Sequence, residues 1–551
     1  MNRSFPLIRT VGLLVLVLAC CWQRPRLAWC EPAVESSSSR VDRLLSAEIF
    51  AQLSPGQLAP PTGDLTYLRR VWLDLLGHLP PPEEITAFVL SKDPQKRANL
   101  VDRLLNDPRF GRNWGRYWRD VILYRRTEER AMATSRILTE YFAGHFQANT
   151  PWDQIASEII TATGEVRESG STAIIVAQAG EPENTAAEIA RIFMGIQIQC
   201  AQCHDHPYDR WKRQQFHELA AFFPRVAVRP TRATGERGFQ VVADDQPPRR
   251  RGKKKANRRV RGTLEHYMSD LENPTAQGQM IQPALFTTGQ KLDVGVTDAR
   301  RRGTLAQWVT SDNNEWFSKA IVNRLWSELI GEGFVEPIDD LGPDREPQAP
   351  RTFDFVSAEF ARNGYDIKWL FRTIMSTEAY QRESRPRRQS ADSPFTASRP
   401  QPLRSDQLFD VFLQVVEADQ RQPDNAFRKN TRQTGPNGPR SVFQNMFGYD
   451  PSQPREEVTA SIPQALVLMN SAQVNRAIRG GKPWGLGKWL REIEGDRTLV
   501  HELYLRCLAR EPTAQETKTC LSYVKRTRDR RIAFEDILWT LINSVEFRYR
   551  I

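Results

Sequence analysis

The chain has 551 residues, 77 Lys and Arg against 66 Asp and Glu, a formal charge of +11, and is 40% hydrophobic and 26% charged. This is a soluble globular composition with length for two to four domains, and past the N-terminus no stretch reaches the ~20 apolar residues that span a bilayer. Nine of the eleven excess positive charges sit in one run, Arg249–Arg261, so the basic balance is local. Such a run reads as a solvated loop, with contact to a polyanionic surface polymer or lipid headgroups as its other use. No aromatic residues interleave it, and no nucleic-acid partner is expected.

The N-terminus reads as an export signal, residues 1–30. Arg3 and Arg9 precede an apolar stretch from Val11 to Cys21, the length of a signal-peptide core. Val17-Leu18-Ala19-Cys20 resembles a weak lipobox, which would make Cys20 a lipid anchor; Ala28-Trp29-Cys30 is the poorer alternative cleavage site. The expected location is therefore the periplasm or cell surface, as a secreted protein or a lipoprotein, with no transmembrane helix in the mature chain.

A polar entry with a short helix over Val41–Leu53 leads into a helical domain, residues 40–224. Apolar spacing predicts a helix over Tyr67–Leu76, stopped by Gly77. Another starts at Pro82, where Glu83 and Glu84 suit the positive end of its dipole. Further helices are expected over Arg97–Leu105, Trp114–Tyr124 and from Pro151 to about Thr163, and one over Ala186–Cys203 runs into a cysteine motif. Phe216–Phe223 is a short apolar segment after it. Residues 225–300 alternate and are broken by Gly and Pro, which predicts short strands at Val226, Phe239 and Val260. A second helical domain, 301–551, has its clearest helices at Thr304–Val309, Asn314–Ile330, Thr352–Asn363, Ile367–Thr377, Pro463–Val474, Thr498–Leu508, Ala514–Arg526 and Phe534–Ser544. Residues 383–402 and 421–440 read as exposed connections. The fold class is mainly α: two helical domains with a small β-rich insertion between them.

The chemistry concentrates in Cys200-Ala201-Gln202-Cys203-His204-Asp205-His206-Pro207. Cys-x-x-Cys-His is the attachment signature of haem c: two thiols form thioethers to one porphyrin, and His204 is its proximal ligand. No other cysteine lies between Cys30 and Cys507, so the pair does not come from a Cys-rich background. Two alternatives stay open. Cys200 and Cys203 with His204, His206 and Asp205 or Asp209 also make a ligand set for zinc or iron. In an exported chain the two cysteines are equally a disulfide staple. For haem, Met194, Met268 and His217 are the candidate distal ligands. Elsewhere Asp339-Asp340 read as paired carboxylates or loop caps. Asn323, Arg324 and Trp326, one turn apart, read as an interface with Arg–Trp stacking. Cys507 and Cys520 are expected either bridged or as free thiols.

Met194–Trp211 followed by Phe216–Phe223 resembles the planctomycete cytochrome-C-like family, domain of unknown function 1549, as do Arg70–Gly77, Leu79–Pro81, Val101–Leu105 and Asn113-Trp114. Arg301–Thr310, Ala320–Trp326, Asn363–Leu370, Leu468–Ser471 and Leu541–Phe547 resemble its usual companion, domain of unknown function 1553. The family name implies haem and names no reaction. No separate cytochrome c domain, which many relatives carry, is read in the chain, so an electron-transfer reading requires the site at Cys200–His204 to hold the haem itself. The expected functions are an envelope electron-transfer protein with a redox partner, or a structural or glycan- or protein-binding envelope protein whose Cys/His cluster is a non-haem metal or disulfide staple, with a metal-dependent hydrolase as a third.

Overall fold

The computed structural model describes residues 35–551 apart from 126–128, 232–237, 247–263, 274, 388–391, 418–438, 454–457 and 459–461. The signal segment, the basic run and the strand expected at Val260 lie outside the described residues. No helix among those described is long and apolar enough to cross a membrane.

Five helices come first: α1 (Ser37–Glu48), α2 (Asp64–Leu76), α3 (Pro82–Leu90), α4 (Lys96–Leu105) and α5 (Pro108–Leu123). α2 stops at Gly77 because that residue turns left-handed, φ +68°, and a Cβ there would meet Asn113 Oδ1 at 2.7 Å. α5 is a central element, with Phe110, Trp114, Tyr117 and Trp118 all buried. Its Gly111 and Gly115 let α6 (Glu129–Ala148) approach closely. A Cβ on Gly115 would lie 2.6 Å from the Thr139 carbonyl oxygen. The sequence pattern did not predict α6, although Thr134, Leu138, Phe142 and Phe146 form its buried stripe.

Helices α7 (Trp152–Ile160), α8 (Ala173–Ala177), α9 (Pro182–Met194) and α10 (Arg213–Ala220) complete the first segment. Strands β1 (Gly164–Glu165), β2 (Val226–Thr231) and β3 (Gly238–Ala243) form an antiparallel sheet in the order β1-β3-β2. A hairpin of β4 (His266–Met268) and β5 (Gln279–Ile281) and a pair of two-residue strands, β6 (Ala284–Leu285) and β7 (Gln290–Lys291), follow. The strands expected near Val226 and Phe239 are thus present. Helices resume with α11 (Asp298–Val309), α12 (Glu315–Ile330), α13 (Pro350–Arg362), α14 (Ile367–Ser376), α15 (Glu378–Gln381), α16 (Ser405–Val415) and α17 (Pro439–Phe447). The last group is α18 (Ile462–Asn470), α19 (Ala472–Ala477), α20 (Leu486–Glu492), α21 (Asp496–Leu508), α22 (Ala514–Thr527), α23 (Arg530–Asn543) and α24 (Val545–Arg548). β8 (Gln401–Pro402) pairs with β9 (Tyr549–Arg550). The fold is mainly α.

Ser37–Ile551 pack as one unit around a continuous hydrophobic core. Arginines are built into it. Arg302 meets Asp298 through two 3.0 Å bonds from Nε and donates to the Ile160 and Ala162 carbonyls. Arg550 binds Asp74 of α2 at 2.9 Å, tying the end of the chain to its first helices. A buried guanidinium is costly unless it is paired, so these contacts favour the helix pairings that supply its partners. The expectation that 383–402 is exposed is corrected: Phe395 and Ser398 are fully buried, and Phe395 packs on Trp326 with centroids 5.5 Å apart.

The ends of the basic run are anchored independently of it. Arg225 holds Asp245 at 2.8 Å and Glu265 at 2.9 Å. Deleting 249–261 leaves six residues between these two, enough to span roughly 20 Å. The deletion should leave the melting temperature within a few degrees of the parent by calorimetry; a fall of many degrees would mean that the run is docked.

Candidate functional site

α9 does not run into the cysteines as expected. It ends at Met194, because Gly195 adopts φ +65°, its N–H bonds back to the Arg191 carbonyl, and the Ile196 N–H bonds to the Ala190 carbonyl, both at 3.2 Å. The turn also admits a partner loop. The Leu341 N–H donates to the Gly195 carbonyl at 2.8 Å, and a Cβ on Gly195 would meet Leu341 Cδ1 at 2.6 Å. Ile196 and Ile198 prolong the apolar pattern past this stop, and both are buried. The motif then begins on a short 3₁₀ turn, Ile198–Gln202, with Cys203 and His204 in the turn that follows it. Ile198 and Ala201 point inward, which leaves Cys200, Cys203 and His204 exposed.

Both thiols are free, as are those of Cys507 and Cys520. His204 Nδ1 lies 2.7 Å from the Asp205 carbonyl oxygen and donates to it. That bond sets the tautomer and leaves Nε2 as the ring nitrogen available to a ligand. The turn closes through the His206 N–H, which donates to the Trp211 carbonyl at 2.8 Å, and Trp211 is buried edge-on against Phe286. Behind the turn, His217 Nε2 donates to the Gln202 carbonyl at 3.1 Å, and its Nδ1 accepts from His266 Nε2 at 2.8 Å. The pairing was not legible in the sequence, because the two histidines are 49 residues apart on α10 and β4.

The expected metal set is not assembled. Asp205 is spent on the start of α10, accepting from the Arg213 N–H at 3.0 Å and from Lys212 Nζ at 3.0 Å, bonds that hold its carboxyl below the ordinary range. Asp209 accepts from the Arg210 N–H and lies against Gly342; burial raises its carboxyl. His206 Nδ1 accepts from the Tyr208 N–H at 3.4 Å. Among the described residues no three His, Cys, Asp or Glu side chains are placed to hold a metal ion.

The distal-ligand candidates are corrected likewise. Met194 is fully buried in the core, and both ring nitrogens of His217 are engaged. Met268 alone of the three keeps partial exposure without such engagement, on the strand that packs against α10. Of the other constellations, Asp339 and Asp340 do not act as a pair. Asp339 is buried between Arg191 and Arg324, while Asp340 meets Arg345. Asn323 grips its loop through the Val335 carbonyl at 2.9 Å and N–H at 3.0 Å. Arg324 lies over Trp118, 5.7 Å from the ring centroid, not over Trp326.

Fold and turn together define a helical protein with an arginine-rich core that displays an exposed Cys-x-x-Cys-His turn. Residues 40–228 match the family described as protein of unknown function (DUF1549), and residues 301–524 match that described as protein of unknown function (DUF1553), in that order. No curated protein matches the chain, and no solved structure does.

Proposed function

We propose that this is an exported cell-envelope redox protein that carries a c-type haem on Cys200, Cys203 and His204. The observation that supports the reading best is the donor set: two free, exposed thiols three residues apart, followed by an exposed imidazole whose Nδ1 is already committed to a carbonyl. These residues fit the group. Cys200 and Cys203 would hold the haem through their thiols, and His204 would hold its iron through Nε2. The haem, when bound, supplies one-electron chemistry. The protein's part is to hold the three attachment residues on one side of a turn whose buried side, Ile198 and Ala201, anchors it to the core. The exposure of the turn leaves it open to a partner protein. The export signal agrees with the reading, since haem attachment to such motifs takes place outside the cytoplasm.

The test is expression of the full chain, with its N-terminus, in a host that attaches haem. Haem should survive denaturation with the polypeptide. Cys200→Ser and Cys203→Ser should each leave a single thioether, visible as a shifted haem band after denaturation. His204→Ala should keep the covalent haem and lose the axial-imidazole spectrum. A colourless product with Cys200 and Cys203 bridged would overturn the reading in favour of a disulfide staple.

A further inference from the structure

A second site lies where the two family segments meet. The turn after α2, one face of α5, and helices α16 and α17 enclose a pocket of about 170 Å³. Four guanidinium groups line it: Arg109, Arg112 and Arg116 of α5, at helical spacings of three and four, and Arg440 of α17. Like charges at such spacing repel, so their gathering calls for negative charge. The walls supply too little. Arg109 is held by Asp107 at 2.7 Å, and Asp406 is already held by Arg404 at 3.2 Å. Asp410 serves both Arg116 and Arg440, and Asp406 reaches Arg116 only at 4.0 Å. Arg440 Nη1 is buried with no hydrogen-bond partner, and Arg112 is exposed at the rim. A buried, unpaired donor on a cation is unfavourable, and a bound oxyanion would satisfy it.

The turn after α2 is tied to both α5 and α16. Asn113 donates to the Asp74 and Leu75 carbonyls at 3.0 and 3.1 Å, closing the turn against α5. Gln414 of α16 clamps the other side, accepting from the Leu79 N–H at 3.0 Å and donating to the Leu79 carbonyl at 2.8 Å. Ligand sites of drug-like size run to roughly 300–1,000 Å³, so this one suits a small ligand.

We propose that this pocket binds a small ligand through an oxyanion, a carboxylate, sulfate or phosphate group, seated against Arg112, Arg116 and Arg440. The site is independent of the cysteine turn. The test is titration of the purified full chain with sodium phosphate, sodium sulfate and sodium glucuronate, each against sodium chloride at matched ionic strength, by calorimetry and thermal shift. At least one probe should bind and raise the melting temperature. Response to phosphate or sulfate identifies a tetrahedral group, and response to glucuronate alone identifies a sugar carboxylate. Arg112→Gln, at an exposed position, should leave the melting temperature of the ligand-free protein unchanged and weaken binding about tenfold. Arg440→Gln should weaken it similarly. If none of the three probes binds beyond chloride, or if Arg112→Gln binds as the parent does, the proposal fails.

Discussion

Asp339→Ala should destabilise the protein by on the order of 3–5 kcal/mol, the usual consequence of leaving a buried charge unpaired. Asp339 is 2% exposed and joins the two family segments. It receives Arg191 Nη1 of α9 at 2.8 Å on one oxygen and Arg324 Nη2 of α12 on the other. The two arginines are not equally dependent on it. Arg191 also binds Glu188, at 2.5 Å, and donates to the Val121 carbonyl at 2.7 Å. Arg324 has Ser452 Oγ at 3.4 Å and the face of Trp118, and its Nη1 is already without a partner. The loss should therefore fall on Arg324. Arg324→Met combined with Asp339→Ala should recover part of the stability that Asp339→Ala alone removes. Urea unfolding of the parent, both single variants and the double variant closes the cycle. A loss under 1 kcal/mol for Asp339→Ala would mean that water reaches the site. The sign of the pH effect follows from the same geometry. Burial pushes the Asp339 carboxyl up, but Arg324 and Arg191 outweigh it and hold it below the ordinary range. Its contribution is then complete above pH ~3.9, its value in the unfolded chain, and is lost as pH falls through the lower folded value.

Sequence pattern and structure agree where local causes act alone. Gly77 after an apolar stripe and Pro82 before two glutamates place α2 and α3 within a few residues of where they lie. The helix expected over Ala514–Arg526 is α22, whose Thr513 and Glu516 form a capping box. The two diverge where a distant contact decides. Gly195 reads as a tolerated helix interior until the loop ending at Leu341 is seen to need its missing Cβ. α6 is hard to see because its stripe is narrow and its packing depends on Gly111 and Gly115, which look like weak points in α5 until α6 is set against them. In the cysteine turn, the residue types are legible and their roles are not. Asp205 has the chemistry of a ligand and is used as a cap, a choice made by Arg213 and Lys212 eight and seven residues on. The oxyanion pocket is invisible in the sequence because Arg112 and Arg440 come together only through tertiary packing.

Acidification from pH 6.5 to 4 should weaken the fold behind the cysteine turn by a few kcal/mol, before most carboxylates begin to protonate. Burial drives both His217 and His266 down to about 4, and for His217 the neighbouring His266 adds to the effect. The rings stack with centroids 5.1 Å apart, and their bond requires His217 to be neutral: His266 Nε2–H donates to His217 Nδ1, whose lone pair is lost on protonation. Arg213 and Glu183 act on His217 in opposite directions. Above pH 6.5 neither folded nor unfolded chain is protonated at these positions, so the pair adds no slope. Between 6.5 and 4 the unfolded chain takes up two protons that the native one refuses, and stability falls; below 4 both states are protonated and the loss levels off. Each tenfold loss of proton affinity on folding corresponds to about 1.4 kcal/mol, and partial solvent access at His217 reduces the total. Asp339 acts only below about pH 4, whereas Asp42, whose carboxyl burial raises to about 6, gains stability as pH falls through the same window and so partly opposes the histidines. His266→Gln keeps a donor for His217 Nδ1 and removes one titrating group. Its stability should drop by about half as much as the parent's between pH 6.5 and 4.5, measured as urea midpoints. Equal declines in parent and variant would show that the histidine pair is not the group that titrates.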